Sequence, residues 1–406
     1  MFDVTVIGGG MIGASAARHL AQAGLEVAVV ASPEPVDPAG HTGPFGAHYD
    51  VTRLSRTVQP GAVEAELARR ARASMASIEE FADRPVFTGP GHLFVSRPED
   101  DEGMGEAVRN LPPGHGVEVL DGQALADRYP AMRFQAGMVG YREPGSGACL
   151  NPRALVAAQL AAAASAGAHV VARHAVGMSV DATCAVSLDD GSQIESRRVL
   201  LATGAFTNAS GLLEGPLAMR MKTEMVLLAE LAAGEAERLG DLPPTHYAID
   251  DGFVSDVYTA PPTTYPDGSV LLKWGANTIT DRWVTDPADI AAWYCSGDSN
   301  SAIPMVRPSM EATFPGLEAV GWRTQRCVVA YTGHGMPYID ALVPGKVFLA
   351  VGGNGRSAKW ADPLGALAAS LTEAGEWVDP LPADRFRKLF VGEVDNWAGR
   401  ELLSDR

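Results

Sequence analysis

Met1-Phe2-Asp3-Val4-Thr5-Val6-Ile7-Gly8-Gly9-Gly10-Met11-Ile12-Gly13 opens the chain as a short apolar strand running straight into a glycine-rich turn. Gly8, Gly10 and Gly13 have the G-x-G-x-x-G spacing, and Ala14 to Ala23 continues as an alanine-rich helix. Each glycine has a mechanical reason. The first permits the tight turn, the second lets backbone approach a pyrophosphate, and the third brings helix against strand. The helix start adds unpaired N–H groups and a partial positive charge. Leu25 to Val30 supplies the next parallel strand, so the stretch implies dinucleotide binding on a βαβ unit. A tight turn with no ligand would use the same glycines.

One element of the fingerprint is missing. An acidic residue usually follows the second strand and hydrogen-bonds a ribose hydroxyl. Here the strand ends at Ala31-Ser32-Pro33, with Glu34 a few residues late. Either Ser32 or Glu34 takes that contact, or other groups hold the ribose.

A chain of 406 residues can hold two or more full-sized cores. With 46% hydrophobic and 20% charged residues it has ordinary soluble composition. A net charge of −17 argues against nucleic-acid binding and against attraction to an anionic membrane. The four cysteines, Cys149, Cys184, Cys295 and Cys327, show no CxxC pair or metal-type cluster and read as reduced thiols. The first strand starts too early for a signal peptide, and Leu155 to Val171 is too short and too weakly apolar to span a bilayer. The expectation is a cytoplasmic protein without a metal.

Residues 62–83 read as a helix, and Gly91 to Val95 as a short strand. Asn151-Pro152 is a helix start, N-cap then N1 proline, leading to Gly167. His169 to Val171 follows as a strand. A β-meander through Cys184 to Leu188 and Gln193-Ile194 then leads into Arg198 to Gly204. Residues 222–275 read as long antiparallel strands, before Lys346 to Gly353 restores the buried parallel pattern and Leu364 to Glu373 closes with a helix. The expected fold is α/β: a Rossmann-like nucleotide domain of 1–84, 148–210 and 330–406, with an inserted antiparallel substrate domain of 85–147 and 211–329.

Three glycine-terminated strands, at Gly8, Gly204 and Gly352, together with the meander and the insert, resemble the D-amino-acid-oxidase class of FAD proteins. Gly46-Ala47-His48-Tyr49-Asp50-Val51-Thr52-Arg53-Leu54-Ser55-Arg56 is similar to the flavin loop of the monomeric sarcosine oxidase and N-methyltryptophan oxidase group, which carries Thr-Arg-x-x-Arg there. The resemblance implies that Arg53 lies against the flavin and Arg56 binds a substrate carboxylate. Leu272-Lys273-Trp274-Gly275 resembles the strand whose lysine promotes reaction with O2. Gly355 and then Lys359-Trp360-Ala361-Asp362-Pro363-Leu364-Gly365 resembles the segment whose lysine binds the carboxylate, here with two extra residues after the glycine.

On this resemblance FAD is held by Gly8, Gly10, Met11, Ile12 and Gly13, by Ser32, by His48, Thr52 and Arg53, by Ala202 and Gly204, and by Gly353, Asn354, Gly355 and Lys359. Lys273, Arg53 and His48 are the catalytic residues, and Arg56, Tyr258, Tyr331 and Lys359 hold substrate. The family's flavin-linking cysteine corresponds to Val329, beside Tyr331-Thr332, with Cys327 two residues earlier. The link is therefore expected to be absent, and Cys327 is the one candidate if it forms. The implied activity is oxidation of the C–N bond of an amino acid or N-alkyl amino acid by a monomer, with O2 reduced to H2O2. A dehydrogenase, or an oxidase of a hydroxylated substrate such as a sugar, uses the same fold. A flavin-binding regulatory protein remains a third reading.

Overall fold

The computed structural model describes residues 1–145, 147–398 and 401–405. Its first layer is a parallel sheet in the order His169–Val171, Val27–Val30, Phe2–Ile7, Gln193–Leu201 and Val347–Val351. These strands come from three separated stretches of chain, and Val27–Val30 and Val347–Val351 are wholly apolar and buried because helices cover the sheet. The meander is built from Ala175–Val180, Cys184–Leu188 and the first part of Gln193–Leu201, one strand continuous from the meander to the parallel ladder.

The opening helix runs Met11–Gln22, beginning three residues before the alanine-rich run. The helix after Asn151 spans Pro152–Ser165, and Asn151 Oδ1 accepts from the Ala154 N–H at 3.0 Å as an N-cap. Ala62–Glu79 stops short of 83, and the last long helix, Ala361–Ala374, starts before Leu364. These ends shift because caps and tertiary packing, rather than hydrophobic period, set helix termini.

Three helices meet at one buried carboxylate. Asp362 Oδ1 accepts from Arg18 Nη2 at 2.7 Å, Gln159 Nε2 at 2.9 Å and Ser15 Oγ at 3.0 Å, with His19 Nε2 at 3.1 Å. A Cβ at Gly365 would stand 2.4 Å from Ser15 Oγ, so the glycine permits this close helix crossing. Burial alone would raise the Asp362 pKa. Hydrogen bonds and charge from His19 and Arg18 win and hold it well below the usual carboxylate range. Because the folded-state pKa is depressed, the stability it contributes is present above about pH 4 and is lost as pH falls below. Asp362→Ala leaves Arg18, only 3% exposed, without its carboxylate. The expected cost is ~3–5 kcal/mol by denaturant titration at neutral pH, and an unchanged midpoint would refute the account.

Among the described residues the second layer is a nine-stranded sheet. Its longest pairing, Met219–Leu231 against Ala319–Thr332, lies at one edge, and Val270–Thr278 and then Val254–Thr264 follow inward. It is mixed rather than purely antiparallel, because Thr245–Asp250 lies parallel to Gly91–Ser96 at Leu93 to Val95. Sequence pattern alone cannot show such a pairing between segments about 150 positions apart. Helices Pro287–Ser296 and Ile303–Thr313 also belong to this half.

Candidate active site

The turns after Phe2–Ile7, Gln193–Leu201 and Val347–Val351 meet at one end of the parallel sheet, where α/β proteins bind ligands. A cavity of about 1170 Å³ begins there and reaches the strands of the second sheet. That exceeds the usual 300–1,000 Å³ of a small-molecule pocket. It suits a cofactor together with a substrate.

The glycine turn is shaped as a cradle. Gly8 has φ +107°, and a Cβ there would lie 2.4 Å from the Ala202 carbonyl oxygen. A Cβ on Gly13 would lie 1.9 Å from the Gly8 carbonyl oxygen, so turn, helix and the strand end at Ala202 are locked together. Gly10 differs, since nothing lies within 4 Å of its Cβ position and it faces the cavity. Gly10 is also the helix N-cap, with no side-chain cap to its first N–H groups. Open space above unpaired N–H groups fits a pyrophosphate. Met11, Ile12, Ala202, Gly204, Gly353, Asn354 and Gly355 line the same cavity. Gly13 does not; its part is the close packing just described.

The missing ribose acid has a partial answer. Glu34 is drawn away into an ion pair with Arg153, whose Nε donates at 2.8 Å. Ser32 lines the cavity, its Oγ donating to the Arg173 carbonyl at 3.3 Å.

The flavin-like loop forms the next wall. His48 and Arg53 line the cavity. Burial drives the His48 pKa down to about 4, so the imidazole is neutral at neutral pH, and its buried Nδ1 has no partner among the described residues. Thr52 and Lys273 lie behind that wall, 3% and 1% exposed. Lys273 Nζ donates to Asp50 Oδ2 at 2.6 Å and to the Thr52 carbonyl at 2.8 Å. Arg53 donates to the same Asp50 oxygen, and Tyr265 OH donates to Oδ1 at 3.1 Å. Burial and then the Arg53 charge pull the Lys273 pKa well below that of an ordinary lysine, opposed by Cys327 and Glu224. Asp50 was invisible to sequence reasoning, because its partner sits 223 positions away.

Tyr258 crosses Gly275 on the neighbouring strand, where a Cβ would lie 2.1 Å from Tyr258 Cζ. The glycine after Lys273-Trp274 thus makes room for the ring, which faces the cavity and lies 5.1 Å from Lys273 Nζ. Tyr331, Cys327 and Val329 line the cavity from the strand Ala319–Thr332. Glu224, Asp256, Asn277 and Tyr294 line it as well, and none was expected from sequence.

Arg56 and Lys359 both line the cavity, and each charge acts on His92 while that of Arg56 acts on Lys359. The Arg56 guanidinium stacks over Phe94 at 5.0 Å, and Lys359 Nζ lies 4.8 Å from the Trp360 ring centre. Burial, then the charge of Arg56, pulls the Lys359 pKa well below the ordinary lysine value. His92, 3% exposed, is kept neutral by burial and by the same two cations. Glu64 and Glu102 line the same cavity and partly offset the Lys359 shift, and two cations acting on one another still favour an anionic ligand. A substrate carboxylate would be such a ligand.

Among the described residues no helix is long and apolar enough to cross a membrane, and the four cysteines are unpaired.

Comparisons with known proteins agree with this geometry. The description "FAD dependent oxidoreductase" (DAO) matches residues 3–371. N-methyl-L-tryptophan oxidase of Salmonella arizonae is 29% identical over 150 residues, which is 36% of this chain and 38% of that protein. The enzyme of the same name from Salmonella typhi is 28% identical over the same extent. The match therefore spans well under half the length of those relatives. Among solved structures, NikD, an amino acid oxidase of nikkomycin biosynthesis, superposes with a TM-score of 0.73 at 17% identity, covering 96% of this chain and 98% of that one. Glycine oxidase from Geobacillus kaustophilus gives 0.68 at 20% identity, covering 94% and 97%. These two likenesses are of fold. The glycine cradle, the cavity at the strand ends and the match over most of the chain converge: the chain belongs to the DAO family of FAD-dependent oxidoreductases.

Proposed function

We propose that the protein oxidises the C–N bond of an amino acid or N-alkyl amino acid, with FAD bound non-covalently. The observation that carries this reading is the Arg56–Lys359 cation pair on the wall of the cavity that holds the glycine cradle. An arginine fork matches a planar carboxylate, and the neighbouring ammonium adds charge without demanding geometry. Together they fix the carboxylate, and through it the carbon bearing nitrogen. Tyr258 and Tyr331 line the same cavity, and on this reading they would bound the space around that carbon. When bound, FAD supplies the two-electron acceptor for the hydride leaving this carbon. The product imine takes up water and releases the amine. O2 is the final acceptor and H2O2 the by-product. Lys273, held by Asp50 behind Arg53, contributes positive charge as oxygen is reduced.

One observation favours a second reading. Lys273 is fully engaged with Asp50 and Thr52 and does not reach the cavity. A dehydrogenase passing electrons to another acceptor would have the same site. Measuring peroxide against reduction of an artificial acceptor separates the two.

The test is anaerobic bleaching of the flavin by sarcosine, proline, pipecolate and glycine beside a panel of sugars. Bleaching by a carboxylated amine is expected; failure of all of them overturns the C–N reading. Arg56→Met is expected to lower kcat/KM for a carboxylated amine roughly 10- to 150-fold, the loss of one charge-assisted contact of ~1.5–3 kcal/mol. Acid precipitation should leave the flavin in the supernatant; flavin retained with the protein would place a link on Cys327.

A further inference from the structure

The cavity is cationic at Arg56 and Lys359, but its second-sheet wall carries the opposite charge. Glu224 stands on Met219–Leu231, directly across from Cys327, and lines the cavity. Its side chain is only 14% exposed. The nearest cation, Lys222 Nζ, is 3.7 Å away, too far for a hydrogen bond. Lys222 is committed elsewhere, donating to Asn277 Oδ1 at 2.6 Å and Asp281 Oδ2 at 2.8 Å. Arg53 and Lys273, the other cations acting on Glu224, are both paired with Asp50. Asn277 Nδ2 in turn donates to Asp256 at 3.1 Å, and Asp256 adds a further carboxylate to the same wall. Burial raises the Glu224 pKa, and the charge of Lys222 opposes it.

A carboxylate serving only the fold would be satisfied by the fold, because a buried anion without donors is expensive. The Asp50 and Asp362 carboxylates of this chain are satisfied in that way, each by several side-chain donors. Glu224 instead presents an acceptor to the cavity. We infer that Glu224 is a specificity residue, and that the substrate carries, besides its carboxylate and its reacting nitrogen, a second cationic group, a side-chain ammonium or guanidinium, that docks on it. The inference rests on the C–N oxidation reading. The cavity is then bipolar: Arg56 and Lys359 take the carboxylate, and Glu224 takes the basic end.

The experiment uses the FAD-loaded protein and the Nα-methyl derivatives of ornithine, lysine and arginine. Each is paired with the same compound carrying a methyl group in place of its terminal cation. Kd for each comes from the anaerobic reduction kinetics of the flavin, and kcat/KM from turnover. At least one cationic member should be preferred over its methyl partner on the order of tenfold or more, chiefly in Kd. In Glu224→Gln that ratio should fall toward one. No cationic preference in any pair overturns the inference while leaving C–N oxidation standing. An equal loss for both members of a pair in Glu224→Gln also overturns it, since Glu224 would then act on the cofactor, the reacting amine or the fold. Failure of every compound to reduce the flavin removes the C–N reading and this inference with it. If the variant does not fold, the wild-type ratio decides by itself.

Discussion

Asp50→Ala should destabilise the protein by ~3–5 kcal/mol, because it strips the carboxylate from two cations at once. Lys273 is 1% exposed and bonds Asp50 Oδ2 at 2.6 Å, and Arg53 donates to the same oxygen. Tyr265 OH and the Val51 N–H also lose their acceptor, at 3.1 and 2.7 Å. Removing one partner of a buried pair is costly, since the other charge stays desolvated. Asp50→Asn keeps the shape and two of the acceptor contacts but removes the charge, so it should fall between wild type and alanine. Guanidinium titration of the three proteins checks the order. Equal midpoints would show that Lys273 is neutral or relaxes into solvent, contrary to the geometry. The same carboxylate anchors Arg53 on the cavity wall, so weaker flavin retention should accompany the lost stability.

The second large effect separates two glycines of one motif. In Gly13→Ala the new methyl would lie 1.9 Å from the Gly8 carbonyl oxygen and 2.9 Å from Ala202 Cβ. Backbone would have to move, and the variant should lose stability as well as flavin. Gly10 has φ −74°, open to any residue, and nothing within 4 Å of its Cβ. Gly10→Ala should therefore fold with a stability within about 1 kcal/mol of the wild-type apoprotein. Its methyl would nonetheless stand in the cavity, where on the proposed reading a pyrophosphate would approach the backbone. FAD affinity is expected to fall on the order of 100-fold, equivalent to ~2.7 kcal/mol. Fluorescence titration of the apoprotein with FAD measures this, and unchanged affinity would move the phosphates away from the turn.

Much of the fold was legible because its signals are local. The strand–glycine–helix opening, the Asn151-Pro152 cap and the glycine-ended strands at Gly8, Gly204 and Gly352 each follow from backbone chemistry within a few residues. The site was legible where a motif preserves spacing: Arg53 and Arg56 follow His48 on one loop, and all three line the cavity. Gly275 is explained by Tyr258, but only the register of two strands shows it.

The sequence by itself determined the strand, glycine turn and helix start of the candidate cradle, which are local, whereas its closure against Ala202 came from the fold. Tertiary structure alone decided what each charge does. It bound Lys273 to Asp50, gathered Arg18 and Gln159 on Asp362, drew Glu34 to Arg153, and left Glu224 facing the cavity. The physical reason is that burial and proximity set the energy of a charge, and both arise from contacts between strands and helices far apart in the chain.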